Sequence, residues 1–159
     1  MNNISSDAMK IAIEESKVNS INNYKKGGPF GATIVKEDKI ISSAHNTVMQ
    51  TNDPTAHAEI NAIRSACQKL KTNDLSNCIL YTSTEPCPMC LSAIIWANIK
   101  EVYFANTRYD ADDIGFRDDV IYKYLSGENK NILNVYHVDN KEAKEVFENF
   151  KKIENKKMY

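Results

Sequence analysis

A histidine, a glutamate and two cysteines stand in two short clusters of this chain, His57-Ala58-Glu59 and Pro86-Cys87-Pro88-Met89-Cys90. One imidazole and two thiolates make three ligands for zinc. A structural zinc site is normally closed by four protein ligands, whereas a catalytic one keeps its fourth position for water. Zinc lowers the pKa of such a water far enough to provide a nucleophile at neutral pH. Glu59, not needed as a ligand, is then the candidate base. It can take the water's proton and pass it to a ring nitrogen and a leaving amine, a role worth roughly 10²–10⁴-fold in rate.

The surrounding elements must bring these groups together. Asp53-Pro54 reads as an N-cap followed by proline at the first helical position, opening a helix in which Ile60, Ile63, Cys67 and Leu70 recur at helical spacing. His57 and Glu59 fall near its start, where both can be directed at a site beyond the helix end. Residues 79–82 read as a buried strand, and Pro86 to Pro88 as the turn into a helix through Leu91, Ile94, Ile95 and Trp96. Cys87 and Cys90 thus lie near a second helix N-terminus, whose dipole favours the thiolate. Cys67 and Cys78 read as small core residues.

Upstream, Met9, Ala12, Ile13, Ser16, Ile21 and Tyr24 predict a first helix stopped by Gly27-Gly28-Pro29, and strands at 32–35 and 39–43 flank a Glu37-Asp38 hairpin turn. Downstream, the pattern predicts a strand at 102–105, a helix over 120–125 and a fifth strand at 133–138. A final amphipathic helix over 141–152 carries Ala143, Val146, Phe147 and Phe150 on one face. Alternating strands and helices on short connections imply an α/β domain, a three-layer α/β/α sandwich around a mixed sheet of about five strands.

The chain has 159 residues, 42% of them hydrophobic, a length and content that suit one domain over 1–159. A formal net charge of -1 gives no global field to hold a phosphate backbone. No apolar run reaches the length of a membrane span, and no secretory leader is visible, so a cytoplasmic protein with four thiols is expected.

Taken alone, Cys-x-x-Cys between a strand and a helix also suits a redox pair or a non-catalytic zinc module. Joined to His-x-Glu, it matches the pattern of zinc deaminases. The chain resembles the cytidine deaminase superfamily, and within it the small bacterial zinc-dependent guanine deaminases. The shared segments are Gly27 to Ala32, Asn52 to Glu59, Tyr81 to Cys90, Gly115-Phe116 with Asp118, and Asn155 to Tyr159.

That resemblance implies hydrolysis of guanine to xanthine and ammonia, with one zinc per subunit. His57, Cys87 and Cys90 match the family's zinc ligands, and Glu59 its proton shuttle. Asn46, Asp118 and Tyr159 match substrate-binding positions. It also implies a homodimer whose C-terminal segments, here 141–159, exchange between subunits. From the residues alone, Asn46 is also compatible with loop stabilisation, Asp118 with a helix cap, and Phe30 and Trp96 with packing. Glu85 is compatible with shaping the turn before Cys87.

Two alternatives share the metal motif. A nucleoside or other amino-heterocycle deaminase would differ only in its pocket. A tRNA adenosine deaminase would need a surface for phosphates, yet the stretch Asn106 to Asp119 sets Asp110, Asp112, Asp113, Asp118 and Asp119 against Arg108 and Arg117. A small purine is therefore the expected partner, with neither nucleic acid nor membrane.

Overall fold

Glu37 and Asp38 both have left-handed backbones, φ 46° and 62°. That is the geometry of a two-residue turn whose twist suits the strands it joins. It closes an antiparallel hairpin of β1 (Gly31–Lys36) and β2 (Lys39–His45), with a bulge between Ile34 and Val35. The computed structural model describes residues 3–19 and 23–159. On the other edge of β1, β3 (Cys78–Thr84) pairs antiparallel, and β4 (Glu101–Asn106) then pairs parallel with β3. The result is a mixed sheet in the order β2-β1-β3-β4.

Strand alternation divides the core between the two faces. Ala32, Ile34 and Leu80 point to one face, where α3 (Ala58–Leu70) and α4 (Pro88–Trp96) contribute Ala58, Ala62, Ala66 and Ile94 to a single buried cluster. Val35, Ile79 and Tyr81 point to the other, against Ala8 and Met9 of α1 (Asn3–Lys17). Full burial of a side chain such as Leu80 or Ile34 contributes about 1.5–3 kcal/mol. Small residues dominate the inward face of α3, which lets that helix lie close to the sheet. Cys78 is buried and Cys67 packs at the cluster's margin, as thiols in the core should.

Four expectations need correction. The first helix ends at Lys17, and Tyr24 belongs to a separate 3-10 turn, Tyr24–Lys26; Ile21 lies outside the described residues. Beyond the helix Asn19 turns inward and donates to the carbonyls of Gly28 and Asn46. The helix expected to open at Asp53 begins at Ala58. Asp53 instead accepts from the Thr55 amide and hydroxyl at 2.8 and 2.7 Å, so its carboxylate closes a local turn and cannot cap a helix.

Residues 133–138 are not a strand, so the sheet has four strands among the described residues rather than five. Trp96, expected to pack, is two-thirds exposed at the end of α4. Beyond the sheet, α2 (Val48–Thr51) and α5 (Arg108–Asp113) are short helices, α6 (Asp118–Ser126) covers the predicted 120–125, and α7 (Lys141–Lys151) the predicted tail helix. Among the described residues no helix is long and apolar enough to cross a membrane.

Candidate zinc centre and active site

Two helix N-termini converge on the site. His57 is the N-cap of α3 in extended conformation, φ -68° and ψ 157°, which directs its ring beyond the helix end. Cys87 stands in the same relation to α4, φ -64° and ψ 166°, with Pro88 at the first helical position where its missing N–H costs nothing. Glu59 and Cys90 follow within the first turns.

His57 Nδ1 lies 3.6 Å from Cys87 Sγ and 3.5 Å from Cys90 Sγ. Tetrahedral zinc with Zn–S near 2.3 Å and Zn–N near 2.0–2.1 Å requires an N···S edge of roughly 3.5–3.6 Å. Both N···S edges therefore match zinc, and all three ligand atoms lie within 4.8 Å of one another. Among the described residues no fourth histidine, cysteine or carboxylate joins this group, which would leave zinc a position for water.

The electrostatics follow from burial and from the paired sulfurs. A hydrogen bond from the Cys90 thiol holds Cys87 down to about 4 against the opposing effect of burial. The same bond pushes Cys90 upward, with burial and the nearby Glu59 acting in the same direction. His57 is raised, first by its hydrogen bond to Cys87. Glu59 is only 6% exposed, and burial raises its pKa above that of an ordinary carboxylate. Its Oε1 accepts from the Thr82 hydroxyl at 3.3 Å, and its Oε2 lies 3.5 Å from Cys90 Sγ. The carboxylate is thus held beside the metal ligands, with burial making it more basic than an ordinary carboxylate.

In front of these groups is a free space of about 40 Å³ bordered by Phe30, Asn46, His57, Glu59, Phe116 and Asp118. It shares Asn46, His57 and Phe116 with an outer cavity of about 780 Å³ toward Tyr24 and Met49. Asn46 is 3% exposed, and its Oδ1 accepts from the Gly28 and Val48 amides at 3.3 and 3.1 Å. Those two bonds fix the orientation of the amide and leave Nδ2 as the donor for the pocket. A Cβ on Gly27 would stand 2.4 Å from Asn46 Oδ1, so only glycine permits this approach.

Phe30 and Phe116 meet edge to face at 4.7 Å and form an apolar wall. Asp118, the first residue of α6, is raised by burial and then by the negative Cys87.

His57, Glu59, Cys87, Cys90, Asn46 and Asp118 are therefore gathered in one place. Tyr159 is not: it is 85% exposed, with its ring 5.9 Å from that of Trp96. Reading the sequence missed Thr82, whose hydroxyl holds Glu59, and missed the Phe30–Phe116 wall. Only the glycine-rich run Gly27-Gly28-Pro29-Phe30-Gly31 hinted at close backbone approach there.

Over residues 2–106 the chain matches the cytidine and deoxycytidylate deaminase zinc-binding region. The chain belongs to that family. Within it, the chain is 48% identical over 134 residues to the guanine deaminase of Bacillus subtilis, covering 84% of this chain and 86% of that protein. The crystal structure of that enzyme superposes with a TM-score of 0.90 at 43% identity, covering 100% of this chain and 99% of the other.

A tRNA-specific adenosine deaminase of Aquifex aeolicus is 47% identical, but over 98 residues, 61% of this chain and 62% of its own. A guanine deaminase structure from Nitrosomonas europaea matches at a TM-score of 0.60 and 32% identity over 71% of this chain and 62% of that one. Family membership makes the His57, Cys87 and Cys90 centre a zinc site of a zinc-dependent deaminase.

Proposed function

We propose that this protein is a guanine deaminase that hydrolyses guanine at C2 to xanthine and ammonia. The observation that carries the reading is the juxtaposition, within one small pocket, of the zinc ligands, a clamped Glu59 and an amide donor fixed on Asn46. The likeness to the B. subtilis enzyme along the entire chain supports it, because the likeness to the tRNA enzyme of A. aeolicus spans only 61% of the chain.

Bound zinc supplies the Lewis acidity that makes water a competent nucleophile at neutral pH. The protein's own groups do the rest. Asn46 Nδ2 donates to an acceptor on the purine edge, and Phe30 and Phe116 exclude bulk water. Glu59 takes a proton from the attacking water as the new C2–O bond forms. It gives that proton to the ring nitrogen N3, then carries the remaining hydroxyl proton to the departing amine as the C2–N bond breaks, so water and guanine balance xanthine and ammonia. Asp118, at the pocket wall, is placed to accept a purine N–H.

The C-terminal segment extends the proposal to a homodimer. Val146, Phe147 and Phe150 of α7 are exposed, as are Tyr103 and Phe104 on the edge strand β4. Residues 133–138 have strand-like alternation but no strand partner among the described residues. We propose that 141–159 crosses to a second copy, where Tyr159 closes the partner's pocket. With Cys87 and Cys90 given to zinc and Cys67 and Cys78 packed in the core, a reducing, cytoplasmic setting completes the proposal.

Ammonia release from guanine, guanosine, adenine, cytosine and a tRNA anticodon stem-loop tests the substrate. Turnover of guanine foremost is expected. Exclusive deamination of the stem-loop would overturn the reading.

A further inference from the structure

Glu85 precedes the zinc-ligand turn, yet among the described residues its carboxylate makes no hydrogen bond to residues 86–90. It reaches instead across the pocket rim to α5, where its Oε2 accepts from the Arg108 backbone amide at 3.0 Å. The Glu85 amide in turn donates to the Asn106 carbonyl at 2.8 Å, so the residue is bonded on both sides of the junction between β4 and α5.

The N-terminus of α5 also caps itself. Thr107 and Asp110 form a reciprocal capping box that satisfies the Thr107 and Asp110 amides. The Arg108 amide is left to Glu85. From there to Asp118 the backbone is bonded back onto α5: Gly115 N–H donates to Asp112 O at 2.8 Å and Phe116 N–H to Ala111 O at 3.0 Å, and α6 begins at Asp118. Glu85 also borders the same small pocket as Phe116 and Asp118.

We propose that Glu85 is a positioning residue that ties the zinc-ligand turn to the α5–α6 segment and thereby fixes Phe116 and Asp118 against the substrate base. Its hydrogen bond spans two parts of the site that are distant in sequence, Cys87 and Asp118. The proposal rests on the reading that Asp118 and Phe116 face the substrate. Misplacement of such groups by about 1 Å can cost ~10²-fold in rate, so loss of one tie should be felt in turnover without loss of the metal.

The experiment compares zinc-loaded wild type with Glu85→Ala and Glu85→Gln by three readouts: bound zinc, amide hydrogen exchange over 107–118, and kcat/KM for guanine. Glu85→Ala is expected to keep its zinc, to exchange about tenfold faster at Arg108 and through the segment, and to lose roughly 10–100-fold in kcat/KM. Glu85→Gln retains an acceptor oxygen and should stay within about threefold of wild type. If Glu85→Ala does not fold, Glu85→Asp, one methylene shorter, should show the same faster exchange at partial strength.

Combined with Asp118→Asn, Glu85→Ala should cost less than the product of the two single effects. Zinc lost together with activity, unchanged exchange over 107–118, failure of Gln to rescue, or independent effects in the double variant would each overturn the proposal. Zinc content and exchange do not require turnover. A wild type inactive on guanine would therefore sink the proposed function while leaving these two readouts to decide the role of Glu85.

Discussion

The stretch from His57 to Cys90 and the stretch from Gly127 to Tyr159 are opposites. In the first, Ala58, Glu59, Leu80, Thr82, Cys87 and Cys90 are buried, and the functional atoms hold one another by short contacts. In the second, Val135, Tyr136, Val138 and Phe147 are all more than 70% exposed. An apolar surface left open on so much of a folded chain marks an interaction site. The reactive centre is thus assembled from buried, mutually bonded groups, while the C-terminal segment leaves its apolar side chains open, as the proposed exchange between subunits requires.

The sharpest break of that contrast is at the metal. Cys87→Ala should abolish both bound zinc and ammonia release, read by elemental analysis and a coupled ammonia assay. Glu59→Gln should keep stoichiometric zinc yet lose at least ~10²–10⁴-fold in kcat. Retained activity in Glu59→Gln would contradict the proton-transfer role.

Next comes the tail. Removing 156–159 should leave zinc binding and the melting transition of the core intact while lowering kcat/KM by roughly 10–100-fold, as loss of a closing element does. Loss of zinc in that truncation would place the tail in the fold of its own subunit instead.

Asn46→Asp sharpens the distinction between scaffold and substrate contact. Aspartate keeps the oxygen that accepts from Gly28 and Val48 but removes the amide donor, so kcat/KM should fall by about 10–100-fold, the worth of one buried hydrogen bond of ~1.5–3 kcal/mol. Thermal stability should change little. The smallest effect is expected from Phe147→Ser, which should raise the dimer dissociation constant by roughly tenfold, about 1.4 kcal/mol of lost burial, without altering zinc content. Sedimentation measured over a concentration series reads it.

The contrast also explains what could be read from the sequence. The metal ligands were legible because His57-x-Glu59 and Cys87-x-x-Cys90 each sit at a helix start, a position set by local chain chemistry. The hairpin was legible for the same reason, through Glu37-Asp38. The strand expected at 133–138 failed because a strand needs a neighbour, and alternation in the sequence does not say whether that neighbour is in the same chain.

Asp53-Pro54 misled because Thr55 offers the Asp53 carboxylate a nearer pair of donors than a helix terminus would. The orientation of the Asn46 amide depends on amides at Gly28 and Val48, one of them far along the chain. For α5 a signal did exist, since Thr107-Arg108-Tyr109-Asp110 has the spacing of a capping box, but within so acidic a stretch it read as charge alone.

The division of labour between the two regions is tested most directly by complementation on guanine. Chains carrying Glu59→Gln with an intact tail are co-refolded with chains that retain Glu59 but lack residues 156–159. A mixed dimer holds one site with both Glu59 and a partner's complete tail, so random pairing should restore roughly a quarter of wild-type ammonia release. Activity no greater than the sum of the two parents would contradict the account.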